Sequence, residues 1–465
     1  MIQFDATTIA AKVNAGRLDP VDVTDAFLAR IGACNSALNA LVRHDPASAR
    51  AQAQLVAARV RAGERLALAG VPMVVKDNIW VAGRAISQGS RLFADFVPPV
   101  DAIAVERAKA AGAVVIGIGN APEFACKGQT NSPLHGLARH PMDQSLTPGG
   151  SSGGNAAALA VGFAPIALGT DGGGSGRRPP AHTGTVGFKP SFGAIPYGPG
   201  FPEPFWGIAV IAPMGRTVGD VALLFEAVAG IDGRDPETIS IEPASTNFDA
   251  RRLRVAFAPK LGLPVPVDRD AETAIASGIE LLQRAGWDIK RRDPTWPPGI
   301  TEASFMAIQA AGLAALHGEA FKTNRAAFDP DIAVQIERGL SLSGAEVAAA
   351  LEASHLVKRS LAAFLADFDL LLCPTAPCVA WDINRLGPSH IGGVEVLPRG
   401  HAVFTPFFNH ALTPALSLPC GQGRDGLPIG LQMIARRGAD RMVLAAASQA
   451  ETVLASINDY ARCQF

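Results

Sequence analysis

Two glycine-rich runs that each contain a serine constrain the fold of this chain more than any other feature. The first run is 149–154 (GGSSGG), and the second is 169–177 (GTDGGGSGR). Glycine at this density is unusual in a rigid core unless the backbone bends sharply or approaches another group closely. Successive N–H groups of such a run can point into one concavity, which is the arrangement that holds negative charge in an oxyanion hole. Ser175 is therefore a candidate nucleophile, and it needs a base.

Other interpretations of these runs compete with the catalytic one. Glycine-rich segments also form flexible loops, and some bind phosphate. Neither run has the G-x4-G-K-[ST] form, and no G-x-G-x-x-G opens a βαβ unit. Residues 149–153 do match the G-x-S-x-G pattern of a nucleophile elbow, which would make Ser151 the nucleophile of a serine esterase resembling the α/β-hydrolases. Residues 146–148 lack a strand pattern, and Pro148 fits a central strand poorly, so the elbow is the alternative mechanism.

Outside this centre, short apolar runs alternate with segments of helical periodicity. The pattern predicts strands at 70–75, 113–117, 253–258, 287–292 and 369–374, and helices at 21–31, 47–62, 101–111, 155–161, 269–285, 302–316 and 346–364. Asp19 and Pro20 are placed to be the cap and first residue of the first of these helices. The alternation favours an α/β layered fold with a partly parallel sheet. No repeat or linker divides the chain, so we expect one large domain.

The charge balance excludes several classes of function. The 41 basic and 42 acidic side chains give a formal charge of −1, whereas a nucleic-acid or anionic-membrane binder would show a basic excess. Residues 1–5 lack the basic and apolar regions of a secretory signal. The longest apolar stretch, 156–168, is interrupted by Gly162 and Pro165 and is too short to span a bilayer. We therefore expect no nucleic-acid partner and no membrane association.

The cysteines have no spacing typical of a metal site or a disulfide framework. They are Cys34, Cys126, Cys373, Cys378, Cys420 and Cys463. We interpret them as reduced core residues of a cytoplasmic protein, and we expect no metal site.

Several segments resemble the amidase signature family in sequence and in order. The central ones are 147–154 (TPGGSSGG), 168–175 (LGTDGGGS) and 184–190 (GTVGFKP). Further landmarks are 27–31 (FLARI), 70–78 (GVPMVVKDN), 120–124 (NAPEF), 373–377 (CPTAP) and 426–432 (GLPIGLQ). The resemblance covers nearly the whole chain, with a signature core at about 70–220 and a more variable region at about 240–365. It implies a single amidase domain over residues 1–465, with a central mixed β-sheet covered by helices on both faces.

The resemblance also implies a role for each matching residue. Ser175 is implied to be the nucleophile, Ser151 a bridging serine that follows a cis peptide bond, and Lys76 the general base. The backbone N–H groups of the nest that ends at Ser175 are implied to form the oxyanion hole; they belong to Gly172, Gly173, Gly174 and Ser175. Three neighbours are expected to support the site without moving protons, namely Ser152, Asp171 and Arg177, the last two as a buried ion pair.

A lysine can act as a base only if burial lowers its pKa. A free lysine has a pKa of about 10.4, so on the order of one in a thousand is neutral near pH 7. Desolvation can lower that pKa by roughly 3–5 units. Lys76 follows the predicted strand at 70–75, which is consistent with delivery into the protein interior, whereas an isolated strand-end lysine usually reaches solvent. The two serine runs at family intervals favour the catalytic interpretation.

Three features depart from the family pattern. Gly176 follows the nucleophile where a bulky aliphatic residue is usual, and Arg178 stands where an apolar residue is more common. Arg178 either binds a substrate carboxylate or forms a salt bridge with a structural acid, and we favour the latter. The segment 197–206 (YGPGFPEPFW) is rich in aromatic residues and proline. Tyr197 and Trp206 either line an acyl or aryl pocket or pack as part of a rigid surface loop.

The expected activity is hydrolysis of the C–N bond of a small amide, with anilides, carbamates and small esters as related substrates. The main alternative is the glutaminase component of a tRNA-dependent amidotransferase, which would act in a complex. A non-catalytic binding protein of the same fold would predict a broken triad, and all three positions are intact. No cofactor is expected, and a homodimer is left open.

Overall fold

The predicted apolar strands all belong to one mixed sheet of eleven strands, which helices flank. The computed structural model describes residues 1–243, 245 and 247–458. Its strands are β1 (Leu41–Arg43), β2 (Pro72–Lys76), β3 (Val114–Gly119), β4 (Asn131–Ser132), β5 (Gly136–Leu137), β6 (Ile166–Asp171), β7 (Val186–Lys189), β8 (Val210–Gly215), β9 (Arg254–Phe257), β10 (Asp288–Arg291), β11 (Leu370–Pro374), β12 (His390–Ile391), β13 (Val394–Glu395), β14 (Ala415–Gln422) and β15 (Pro428–Ile434). The fold class predicted from the sequence is confirmed.

The strand order in the sheet is β1-β3-β2-β6-β8-β7-β14-β15-β11-β9-β10. Strand β2 pairs in parallel with both β3 and β6, whereas β6 pairs antiparallel with β8. All residues of β2 and β6 are buried, including the polar residues at their carboxyl ends. Because β2 and β6 are parallel neighbours, their carboxyl ends lie at the same edge of the sheet. Lys76 and Asp171 are the last residues of these two strands.

The α-helices are α1 (Ala6–Asn14), α2 (Pro20–Leu38), α3 (Pro46–Arg61), α4 (Ile103–Ala110), α5 (Gly153–Ala160), α6 (Arg178–Thr183), α7 (Val218–Val228), α8 (Arg269–Arg284), α9 (Met306–Thr323), α10 (Pro330–Ser341), α11 (Gly344–Asp367), α12 (Pro406–His410) and α13 (Asp440–Leu454). The Asp19 side chain accepts a hydrogen bond from the N–H of Val21, with Pro20 as the first residue of α2. This is the N-terminus that the sequence predicted.

Every predicted helix and strand is present, and most of their ends lie within a few residues of the predicted positions. The helix predicted at 302–316 begins as a 3₁₀ turn (Glu302–Phe305) and continues as α9 to Thr323. Helix α2 extends seven residues beyond its predicted end at 31, to Leu38. Several elements of the glycine-rich centre were not predicted, including β6, α6 and β7.

Two groups of buried side chains form the interior. The larger one lies between the sheet and its helices. The smaller one, here called the second core, brings α9 and α10 together with the segment 124–126; it contains Phe124, Cys126, Leu313, Phe321, Phe328, Ile332, Ala333 and Ile336. The second core is relevant to the site because Phe205 packs against it.

Within the described residues, no helix is both long enough and apolar enough to cross a membrane. The described cysteines, Cys34, Cys126, Cys373, Cys378 and Cys420, are buried and unpaired. Cys463 lies outside the described residues.

Candidate active site

Lys76 ends β2 with its side chain fully buried. Its Nζ donates hydrogen bonds to Ser151 Oγ at 2.7 Å and to Thr170 Oγ1 at 2.8 Å. Both partners are hydroxyl groups, and Lys76 forms no ion pair within residues 1–243, 245 and 247–458. Burial lowers the pKa of Lys76 to about 7, although the charge of Asp171 opposes the effect. Burial therefore favours the neutral form of the amine.

Ser151 lies just before α5 and is also fully buried. The peptide bond between Gly150 and Ser151 is cis. Gly150 contacts the backbone of the segment 127–129 so closely that a Cβ atom at this position would lie 2.8 Å from the Lys127 carbonyl oxygen. No regular strand covers residues 147–150, so Ser151 is not presented by the strand–turn–helix geometry of a nucleophile elbow.

Ser175 lies in the turn between β6 and α6, and its residue is 7% exposed. Asp171 brackets this turn. Its Oδ1 accepts the N–H of Gly174 at 2.7 Å, and its Oδ2 accepts the N–H of Gly176 at 3.0 Å. The Gly174 amide, one of the predicted oxyanion donors, is therefore already engaged. In the described part of the chain no partner is found for the other three predicted donors, the N–H groups of Gly172, Gly173 and Ser175.

Asp171 and Arg177 form an ion pair in which both side chains are fully buried. The guanidinium also donates to the carbonyl oxygen of Thr405 and to the side-chain oxygens of Asn409 and Gln432. Burial alone would raise the pKa of Asp171, but the charge of Arg177 and hydrogen bonds from Arg177 and Asn409 lower it well below the usual range. The turn that carries Ser175 is therefore anchored by a buried ion pair.

Arg178 connects the two glycine-rich runs. Its guanidinium donates to the carbonyl oxygen of Gly173 at 2.9 Å and to Thr405 Oγ1 at 3.3 Å, and it lies 3.5 Å from the carbonyl oxygen of Gly150. Burial lowers its pKa to about 9. No carboxylate pairs with Arg178 among the described residues, so the salt bridge to a structural acid that we favoured from the sequence is not seen there.

Ser151 and Ser175 open into one narrow pocket. Its aromatic walls are Phe124, Tyr197, Phe201 and Phe205, and its polar lining comprises Asn78, Gln88, Thr170 and Glu203. Most of the aromatic loop at 197–206 therefore lines the site, Tyr197 included, whereas Trp206 is 58% exposed.

Sequence reasoning did not single out Thr170, Asn78 or Phe205. Asn78 Nδ2 donates to Thr170 Oγ1 at 3.0 Å, so these two residues extend the hydrogen-bonded group around Lys76. Both lie inside runs that carry the family resemblance, which was the available signal.

The comparisons with known proteins agree with this geometry. A family model described as Amidase matches residues 22–444. The chain is 32% identical to an acylamidase of Rhodococcus erythropolis over 459 residues, covering 97% of this chain and 95% of that protein. It is 34% identical to a component of the glutamyl-tRNA(Gln) amidotransferase of Symbiobacterium thermophilum, covering 94% of each. A solved structure of a bacterial aryl acylamidase superposes with a TM-score of 0.89, at 27% identity and 98% coverage of both chains.

The sequence match and the structural match both extend over nearly the entire chain and include the glycine-rich runs. The chain therefore belongs to the amidase signature family, whose members hydrolyse the C–N bonds of amides.

Proposed function

We propose that this protein hydrolyses amides through an acyl-enzyme on Ser175, with Ser151 as the proton relay and Lys76 as the general base. The observation that carries the proposal is the 2.7 Å contact between Lys76 Nζ and Ser151 Oγ, made by a buried amine whose pKa is lowered to about 7. A lysine so desolvated holds an available lone pair near neutral pH. Ser151 and Ser175 line the same pocket, which supports proton transfer between them.

The first step forms the acyl-enzyme. Neutral Lys76 accepts the hydroxyl proton of Ser151, while Ser151 Oγ accepts the hydroxyl proton of Ser175. Ser175 Oγ then forms a bond to the carbonyl carbon of the amide, and the electron pair of the C=O bond moves onto the oxygen. The N–H groups of Gly172, Gly173 and Ser175 are the candidates to bind that oxyanion.

The second step releases the amine. When the tetrahedral intermediate collapses, the C–N bond breaks, and the leaving nitrogen receives a proton from Ser151. Ser151 regains its proton from protonated Lys76. A water molecule then gives a proton to Ser151, which passes its own proton to Lys76, and the water oxygen bonds to the acyl carbon. The bond between that carbon and Ser175 Oγ breaks, the carboxylic acid leaves, and the relay returns the proton to Ser175.

The pocket supports amides with an apolar or aryl group as substrates. Phe124, Tyr197, Phe201 and Phe205 line it, and flat aromatic surfaces of this kind stack well on planar substituents. The acylamidase and aryl acylamidase among the similar proteins support the same choice. Anilides suit this mechanism because an aniline is a less basic leaving group than an alkylamine, and carbamates and small esters react by the same route.

A second candidate is the glutaminase component of a tRNA-dependent amidotransferase, which the 34% identity to an amidotransferase component supports. Gly176 and the aromatic loop at 197–206 favour a free-standing hydrolase. Glutaminase activity together with co-purification of a second protein chain would establish the alternative. Hydrolysis of anilides by the lone chain, without either result, supports the hydrolase.

We place the protein in the cytoplasm, because its described cysteines are buried and unpaired, as expected in a reducing compartment.

The direct test is hydrolysis of acetyl and benzoyl 4-nitroanilides by the purified chain and by Ser175→Ala, Ser151→Ala and Lys76→Ala. Each substitution should lower kcat by a factor on the order of 10³ or more, because the three groups act as one unit. Thr273 is an exposed residue of α8, so Thr273→Ala serves as the matched hydroxyl-deletion control and should retain full activity. Wild-type rates in Ser175→Ala would overturn the proposal.

A further inference from the structure

Phe205 covers the backbone of the glycine nest. A Cβ atom built on Gly172 would lie 2.8 Å from Phe205 Cδ2 and 2.9 Å from Cε2. Real Cβ atoms do not approach aromatic carbons so closely, so the ring rests on Gly172 in space that only a glycine leaves free. Since Phe205 and Ser175 also line the same pocket, the ring forms one wall of the site beside the nucleophile.

The turn that carries Phe205 is held by a carboxylate. Glu203 Oε2 accepts the N–H of Phe205 at 2.6 Å, and Oε1 accepts the N–H of Gly207 at 3.0 Å. These two bonds fix the turn from both sides, so the direction of the Phe205 side chain follows from the backbone.

Helix α9 lies directly behind this turn. A Cβ atom on Gly312, in the interior of α9, would lie 2.1 Å from the Pro204 carbonyl oxygen and 2.7 Å from its carbonyl carbon. Glycine is unfavourable inside a helix, and here its missing side chain allows helix and loop to meet backbone to backbone. Phe205 itself packs against the second core, to which α9 contributes Leu313. The turn is thus confined between α9 and the glycine nest.

We propose that Phe205 determines the size of the acyl group that the enzyme accepts, and that Gly312 is a positioning residue that sets the distance between Phe205 and the nest. The inference rests on the function proposed above. Of the three substituents on the scissile carbon, the oxygen faces the amides of the nest and the nitrogen faces Ser151. The third substituent, which is the organic part of the acyl group, therefore occupies the side of the pocket that Phe205 forms.

Two substitutions should act in opposite directions. Phe205→Ala removes the wall, so the ratio of kcat/KM for the benzoyl to the acetyl 4-nitroanilide should rise roughly tenfold or more, which is the discrimination that an apolar pocket supplies. Gly312→Ala should push Pro204 and Phe205 toward Gly172, so the same ratio should fall. Gly318→Ala is the matched control, because it makes the same change in the same helix and meets only the end of the Leu340 side chain at 3.2 Å.

Thermal unfolding and circular dichroism establish whether each variant folds. If Phe205→Ala does not fold, Phe205→Leu replaces it. The ratio of benzoyl to acetyl kcat/KM should then rise by an intermediate amount. A folded Phe205 variant with the wild-type ratio would overturn the inference, as would a fall in the ratio for Gly318→Ala equal to that for Gly312→Ala. Labelling of Ser175 by a fluorophosphonate separates the two proposals. If Ser175 reacts and the ratios stay constant, only the role of Phe205 fails. If Ser175 does not react, both proposals fail.

Discussion

Asp171 binds the guanidinium of Arg177 through both carboxylate oxygens, each at 2.9 Å, with both side chains fully buried. The same two oxygens accept the N–H groups of Gly174 and Gly176, the residues on either side of Ser175. The position of the candidate nucleophile is therefore tied to an ion pair that solvent does not reach. This arrangement explains how a glycine-rich turn can be held in one conformation.

Asp171→Asn should lower the free energy of unfolding by roughly 3–5 kcal/mol, because it leaves the Arg177 charge buried without a counter-ion. Urea unfolding followed by circular dichroism measures the change. The matched control is the exposed pair of Arg254 and Asp369, where Arg254→Gln should change the free energy of unfolding far less, because solvent screens this pair. Equal effects of the two substitutions would contradict the anchoring role of Asp171.

The rate of acylation should rise as pH increases through about 7 and should level off above pH 8. Burial lowers the pKa of Lys76 to about 7; below that pH the amine is protonated and cannot accept the proton of Ser151, and above it the amine is neutral and active. Single-turnover kinetics with an anilide, where chemistry limits the rate, gives the profile. A constant rate from pH 5.5 to pH 9 would argue against a lysine base.

Glu123 is the matched control for this profile, because it is a second buried group that titrates in the same range. Burial raises its pKa to about 7. Its carboxylate accepts hydrogen bonds from Ser90 Oγ and from the N–H of Asp329, away from the proposed proton relay. Glu123→Gln should leave the midpoint of the pH profile at the wild-type value. Loss of the pH dependence in this variant would assign the titration to Glu123.

Thr170→Val should move the midpoint of the same profile to lower pH by roughly one pH unit. The Thr170 hydroxyl accepts a hydrogen bond from Lys76 Nζ, which stabilises the protonated amine. Removing that acceptor lowers the pKa of Lys76 further, so the amine becomes neutral at lower pH. A midpoint that stays constant or rises would show that Thr170 does not influence the amine.

Arg178→Gln should reduce kcat/KM by the same factor, on the order of tenfold, for a neutral anilide and for one whose acyl group carries a carboxylate. The guanidinium donates to Gly173 and Thr405, so its loss should disturb the nest for every substrate alike. Steady-state kinetics gives kcat/KM of the wild type and the variant for both substrates. A loss confined to the carboxylated substrate would instead make Arg178 a substrate-binding residue.

The elements predicted correctly are those with local signals. Strand β2 is an apolar run that stops at a charged residue, and α2 begins with Asp19 and Pro20. Strand β6 was missed because it includes Gly169 and leads directly into the glycine nest, so its composition resembles that of a loop. Tertiary pairing with β2 and β8 makes it a strand, and no local pattern reports such pairing.

The site residues that could be predicted are likewise those with a local sequence signal. Lys76, Ser151 and Ser175 were identified because they lie in runs that resemble the family. The partners of Arg177 were not identified from the sequence. Thr405, Asn409 and Gln432 lie 228 to 255 residues away from it along the chain. The contact between Phe205 and Gly172 likewise depends on how a loop folds over the nest, which a single sequence does not reveal.

The roles proposed for Ser175, Ser151 and Lys76 are tested most directly by locating a fluorophosphonate adduct with peptide mass spectrometry on the wild type and the three alanine variants. We expect a single adduct on Ser175, which is absent in Ser175→Ala and forms more slowly in Ser151→Ala and Lys76→Ala. An adduct on Ser151, or an unchanged rate of labelling in Lys76→Ala, would contradict these roles.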